Sequence, residues 1–156
     1  MKKTLVLGIG NDILTDDGIG PKIINDLKIL ERSPELIFES TTLGGLEILE
    51  IIKDYERVII IDAIRTQDGQ PGKIYFFTPA DFKETLHLSN LHDINFLTAL
   101  ELGKKLGIPM PEEIHIIAIE ILEDQVFGTS FTPVIEEKYY KIMQSVKKRI
   151  EELACQ

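Results

Sequence analysis

Asp12, Asp16 and Asp17 crowd into one glycine-rich stretch, Gly8-Ile-Gly-Asn-Asp-Ile-Leu-Thr-Asp-Asp-Gly-Ile-Gly20, directly after the apolar run Leu5-Val6-Leu7. A glycine-rich turn leaving a first strand is the usual form of a phosphate cradle, because backbone N–H groups there can point at an anion. The spacing argues otherwise. Gly8 and Gly10 supply two glycines of a dinucleotide fingerprint, but Ile13 occupies the third position, and no Gly-Lys-Ser/Thr follows to make a P-loop. A carboxylate ~4 Å from a phosphate costs about 1 kcal/mol per charge pair in water and several times more in a drier cleft. Glu39, near the end of a second strand, imitates a ribose-binding acid, but a solvated strand end explains it equally well.

The charge suits a cation. Asp17 follows the first strand and Asp62 ends the apolar run Arg57-Val-Ile-Ile-Ile-Asp62. Two ionised carboxylates on neighbouring strand ends repel, and they either share a proton or hold a metal. Asp16 and Asp17 each stand where they could cap the following helix, and Asp16 is assigned that plainer role. Asp62 also has a bland reading, as a strand-end acid bonded to a turn. Three histidines are candidates for a third ligand. His115 alternates within an apolar strand and reads as a core or sheet-surface residue. His87 and His92 share the connection 82–93, long enough to suggest function. His92 is preferred over His87 because it directly precedes a helix that would fix its direction. Asp17, Asp62 and His92 would form an open oxygen/nitrogen site, as in catalytic metal centres. Zinc, nickel, manganese and iron all fit such ligands.

The elements that must carry these residues alternate along the chain. Residues 3–8, 35–40, 57–62, 72–77 and 113–120 read as strands. Ile23, Ile24, Leu27 and Leu30 recur at helical spacing after Pro21, and Leu46, Leu49 and Ile52 do so after Gly44-Gly45. A helix from about Asp93 stops at Leu106-Gly107-Ile108-Pro109. The last helix starts at Thr132-Pro133 and carries Ile135, Tyr139, Ile142, Met143, Val146, Ile150 and Leu153 on one stripe. This predicts a single α/β domain over residues 1–156, a three-layer sandwich with a mostly parallel twisted sheet flanked by helices on both faces. In such sheets ligands collect at the carboxyl ends of the strands, which is where Asp17 and Asp62 fall.

Composition narrows the partners. Lys and Arg number 17 against 26 Asp and Glu, a net charge of −9, which disfavours nucleic acid and anionic membrane surfaces. The longest apolar runs are too short to span a bilayer, so no membrane insertion is expected. The N-terminus mimics a signal peptide but reads as strand one. The only cysteine, Cys155, has no internal partner and is expected in a mobile tail. A cytoplasmic location is expected. The chain also lacks Gly-x-Ser-x-Gly, His-Glu-x-x-His and a cysteine beside a histidine. Ser130 is read as part of the last helix's entry.

GIGNDILTDDGIG resembles the N-terminal signature of the hydrogenase maturation proteases, endopeptidases that process the large subunit of [NiFe]-hydrogenases. The likeness continues through Leu43-Gly-Gly-Leu-Glu-Ile-Leu49, Val58-Ile-Ile-Ile-Asp-Ala63, Pro71-Gly72, Ser89-Asn-Leu-His92 and Gly128…Thr132-Pro133, and so covers essentially the whole chain. The resemblance implies metal recognition by Asp17, Asp62 and His92, although here Asp93 stands directly beside the histidine. It implies removal of a short C-terminal extension from the large-subunit precursor after nickel insertion, with nickel carried by the substrate and other divalent metals substituting in isolation. It also implies a metal-assisted hydrolase conventionally grouped with aspartic-type peptidases. Gly10, Asn11 and Asp16 would then shape the turn that aims Asp17. Gly44 and Gly45 are read either as a backbone approach to substrate or as a plain turn. The rival from another class is a nickel-dependent chaperone or sensor that binds the immature subunit without cutting it; a nucleotide-binding module is a third option.

Overall fold

The structure, a computed structural model, describes residues 2–42, 44–84 and 91–156, and the side chains of 82–84 and 91–95 lie outside that description. Among the described residues five strands, β1 (Thr4–Ile9), β2 (Leu36–Thr41), β3 (Arg57–Ile64), β4 (Ile74–Phe77) and β5 (Glu113–Glu120), form one sheet in the order β2-β1-β3-β5-β4. All pairings are parallel except that of β4, which runs antiparallel to β5 at the edge. The helices among the described residues are α1 (Ile19–Leu30), α2 (Glu47–Ile52), α3 (Pro79–Glu84), α4 (Leu91–Lys105) and α5 (Pro133–Ala154).

The sheet is covered on both faces, and strand alternation explains how. Val6, Ile59, Ile61, Ala63, Ile117 and Ile119 pack with α1 and α5 on one side. Leu5, Leu7, Val58, Ile60, Ile64, Ile116 and Ala118 pack with α2 and α4 on the other. A strand buried on both faces must be apolar throughout, which is why β3 reads as an almost unbroken Ile run. Each fully buried isoleucine contributes about 1.5–3 kcal/mol relative to an exposed one, so β3 is the thermodynamic spine of the domain.

Several boundaries depart from the sequence expectation. β3 does not end at Asp62 but runs on to Ile64, because β5 pairs with it as far as Ile64↔Glu120. The helix α2 is only six residues long; Leu46 precedes it and is exposed, and its buried face is Ile48, Leu49 and Ile52. The connection 82–93 is not one long loop, since α3 ends within it and α4 begins at Leu91. Cys155 is exposed and caps α5, its N–H bonded to Glu151 O, so it belongs to the helix end. Gly107 adopts a left-handed φ of 70° just past α4, the conformation that ends a helix there.

Candidate functional site

The order β2-β1-β3 places a topological switch point between β1 and β3, since the chain leaves β1 for one neighbour and returns to the other side. Crevices at such points are the ligand sites of open α/β sheets. Ladder pairing of β1 with β3 stops at Gly8↔Ile61. Asp62 is the next residue on β3, at the place where the two strands part. By strand alternation it lies on the α2/α4 face with Val58, Ile60 and Ile64. It is 4% exposed, and its Oδ1 accepts the N–H of Ala63 at 2.9 Å.

The glycine-rich turn fills the other side of this crevice. After β1 the chain makes a short 3-10 turn, Thr15–Gly18, that packs against β3 and leads into α1. Glycines are required here by close approach. A Cβ on Gly20 would sit 2.7 Å from Ile61 O and 2.9 Å from Ile9 O, so α1 can seat its first turn in the fork between β1 and β3 only without a side chain. Gly10, with φ 155°, faces Asp17 O, which an added Cβ would meet at 2.1 Å. The resulting turn holds Asp17 at 2% exposure with its Oδ2 accepting Asn11 N–H at 2.8 Å. Asn11 stiffens the turn further, its Oδ1 accepting Ile13 N–H at 3.1 Å.

These bonds explain why a loop of phosphate-cradle composition is full of acids. Gly10 N–H donates to Thr41 O, Asn11 N–H to Asp17, Ile13 N–H to Asn11 and Leu14 N–H to Asn11 O. These four donors of the turn are already engaged, one of them by a carboxylate. The turn presents negative charge at the crevice.

Asp16 does something else. It is wholly buried, but it does not cap α1, whose N-cap Gly18 receives no side-chain bond. Its Oδ2 accepts from Leu122 N–H at 3.1 Å, Glu123 N–H at 3.0 Å and Thr132 Oγ1 at 2.8 Å, and its Oδ1 accepts from Thr132 N–H at 2.8 Å. The carboxylate therefore ties the β1–α1 turn to the β5–α5 loop and to the start of α5. Its helical neighbour is α5, far along the chain.

The third expected ligand comes from α4. That helix hands over through residues 106–112 to the amino end of β5. Fifteen residues span about 22 Å, so the first turn of α4, which carries His92, lies toward the carboxyl end of the sheet, the end that holds Asp17 and Asp62. The imidazole of His92 lies outside the described residues, as does His87 altogether. Among the described residues no group of three His, Cys, Asp or Glu side chains stands ready to hold a metal ion. His115 is at the opposite end of the sheet, partly buried 3.6 Å from Glu113. Gly45 adopts a φ of 65° and its carbonyl accepts Ile48 N–H at 3.2 Å, the geometry of a turn opening α2. Glu39 is exposed at the sheet edge.

One acid at this end went unmarked in the sequence. Glu120, the last residue of β5, is 1% exposed; it accepts Thr66 N–H at 2.8 Å and bonds the Thr66 hydroxyl, and Tyr75 OH lies at 3.3 Å. It pins the β3–β4 loop over the sheet. The available signal was the same as for Asp62, an apolar strand run that closes on an acid.

The fold defines an α/β domain with two buried aspartates, Asp17 and Asp62, on the elements that border the β1/β3 switch point. The family described as hydrogenase maturation protease matches residues 21–149, a span that includes Asp62 and His92 and begins after Asp17. The chain belongs to that family of proteases. It is 27% identical over 159 residues to the hydrogenase 2 maturation protease of Escherichia coli (strain K12), covering 96% of this chain and 92% of that one. It superposes on the hydrogenase maturating endopeptidase HybD from E. coli with a TM-score of 0.74 at 24% identity, covering 96% and 93% of the two chains. The [NiFe] hydrogenase maturation protease HybD from Thermococcus kodakarensis gives 0.68 at 23% identity, over 94% and 97%. These structures share the five-stranded, mostly parallel α/β fold. No helix among the described residues is long and apolar enough to cross a membrane.

Proposed function

We propose that this protein is an endopeptidase that removes the C-terminal extension of a [NiFe]-hydrogenase large-subunit precursor once nickel has been inserted. In this reading Asp17, Asp62 and His92 complete the coordination of nickel that the substrate carries, in the cytoplasm. The observation that supports it best is the pairing of family membership with two buried aspartates, Asp17 and Asp62, flanking the β1/β3 switch point.

Each residue has a task that its surroundings suit. Asp17 and Asp62 each use one oxygen to accept a local backbone N–H, which fixes the carboxylate plane before substrate arrives. Such pre-orientation lowers the entropic cost of gripping an ion. Both groups lie in a protein interior where charge attraction exceeds that in water, so a cation is discriminated strongly from a neutral occupant. His92 supplies the softer nitrogen donor that suits nickel or zinc better than magnesium or calcium. Nickel in the substrate contributes Lewis acidity, either polarising the scissile carbonyl or acidifying an attacking water. Gly10 and Asn11 keep Asp17 aimed, and Asp16 anchors the turn from behind.

The test is to incubate nickel-loaded precursor with Asp17→Asn, Asp62→Asn, His92→Ala and His87→Ala variants and follow the precursor's C-terminal mass. The first three are expected to lose trimming by at least about 100-fold, as for removal of a direct metal ligand or its partner, while His87→Ala retains it. Normal trimming by all three ligand variants would sink the assignment. Binding of the precursor by the unaltered protein with no change in mass would favour a chaperone over a protease.

A further inference from the structure

We infer that the exposed apolar surface made by Ile13, Val126 and Phe127 is the docking face for the precursor, receiving an apolar segment flanked by Lys or Arg; this rests on the endopeptidase reading above. These side chains are 48%, 57% and 78% exposed.

The loops carrying them are held to each other. Gly128 N–H donates to Ile13 O at 2.9 Å, Thr15 N–H donates to Gly128 O at 3.0 Å, and the Thr15 hydroxyl bonds Val126 O at 2.5 Å. Leu14 and Gly128 form a parallel bridge, which sets the backbones of Ile13 and Phe127, one residue earlier on each segment, beside one another. The Asp16 carboxylate bolts this pair of loops from beneath through Leu122, Glu123 and Thr132. A partner landing here would not have to order a flexible loop, so the ordering cost of binding is already met.

The position favours the precursor over other occupants. Ile13 and Thr15 also line a cavity of about 550 Å³ that opens beside Gly18 and continues past Ser130 and Phe131 to the start of α5. The surface is thus continuous with the turn that carries Asp17. Its polar rim is acidic: Asp12 and Glu136 line the cavity, while its cation, Lys22, is paired with Asp26 at 3.1 Å. With a net charge of −9 over the chain, a cationic flank on the partner is attracted and an acidic one is repelled.

The experiment measures steady-state trimming of nickel-loaded precursor by the unaltered protein, by Phe127→Asp, Val126→Asp and Phe127→Leu, together with precursor binding to the non-trimming Asp17→Asn form with and without Phe127→Asp. Docking predicts that both aspartate substitutions raise KM by about tenfold or more with kcat retained. It predicts that Phe127→Leu restores KM, and that binding weakens as salt is raised. Both positions are exposed, so circular dichroism should show unchanged folding. Unchanged KM and binding in the aspartate variants overturns the docking face while leaving the protease reading intact. If the unaltered protein binds but never trims and Phe127→Asp abolishes binding, the docking face stands and the protease reading fails. If the protein neither binds nor trims the precursor, both fall. If Phe127→Asp instead splits a homodimer, seen by sedimentation, with KM unchanged, the face belongs to a second copy of the chain and the proposal is overturned.

Discussion

Replacing Asp16 with alanine should unfasten the β5–α5 loop from the β1–α1 turn. The carboxylate is fully buried and accepts four hydrogen bonds, three from backbone N–H groups and one from the Thr132 hydroxyl. Bonds to a charged acceptor contribute about 1.5–3 kcal/mol each when lost singly. Four such losses do not add, because removing the carboxylate also removes its own desolvation cost and because Leu122, Glu123 and Thr132 are only partly covered and regain water. A net loss of about 3–4 kcal/mol is expected, at the upper end for single substitutions and large beside a total stability of ~5–15 kcal/mol. For a domain of this size that lowers Tm by roughly 6–15 °C. Asp16→Asn keeps one accepting oxygen but turns an NH2 toward a donor, so it should lose about half as much. Urea denaturation gives the global figure, and amide hydrogen exchange gives the local one, with faster exchange expected at Leu122, Glu123 and Thr132. An Asp16→Ala protein with the same urea midpoint and the same protection at those amides would refute the clamp.

Other outcomes follow from neighbouring observations. Gly20→Ala puts a methyl 2.7 Å from Ile61 O and 2.9 Å from Ile9 O; because both are backbone atoms, it should cost about 2–4 kcal/mol in urea unfolding and lower trimming by displacing Asp17. Glu113 is held near a pKa of about 2 by the hydrogen bonds of Arg57 and Lys2, below its ordinary 4.5. A depressed folded pKa means its stabilisation is complete above about pH 4.5 and disappears as pH falls toward 2. With a third of the side chain exposed, the effect is about 1 kcal/mol, so Glu113→Gln should be less stable than the parent at pH 6 and equal to it by about pH 2. Glu120→Ala removes the acceptor for Thr66 N–H, the Thr66 hydroxyl and Tyr75 OH. It should cost about 2–3 kcal/mol and speed proteolytic nicking within 65–72, and an unchanged nicking rate would count against its holding that loop.

The amino-acid sequence by itself determined the layers. Two-faced burial demands continuous Ile and Val runs, and one-faced burial demands a 3.6-residue stripe, so β1, β3, β5, α1 and α5 were legible from spacing alone. Asp17 and Asp62 stood out in the sequence as acids beside apolar runs; in the fold Asp17 lies in the turn beyond β1, and Asp62 lies within β3, which runs on to Ile64. Tertiary structure alone decided what each acid does. Asp16 and Asp17 are adjacent and chemically identical, yet Asp16 spends its oxygens on donors 106 to 116 residues away, and no local pattern reports partners at that distance. Asp62 meets the crevice because β1 stops pairing at Gly8↔Ile61 while β5 continues to Glu120. That register is set by how three strands and α1 fit together, with Gly20 wedged in the fork. Periodicity encodes which face a residue turns to; the partner it meets there is fixed only when distant segments pack.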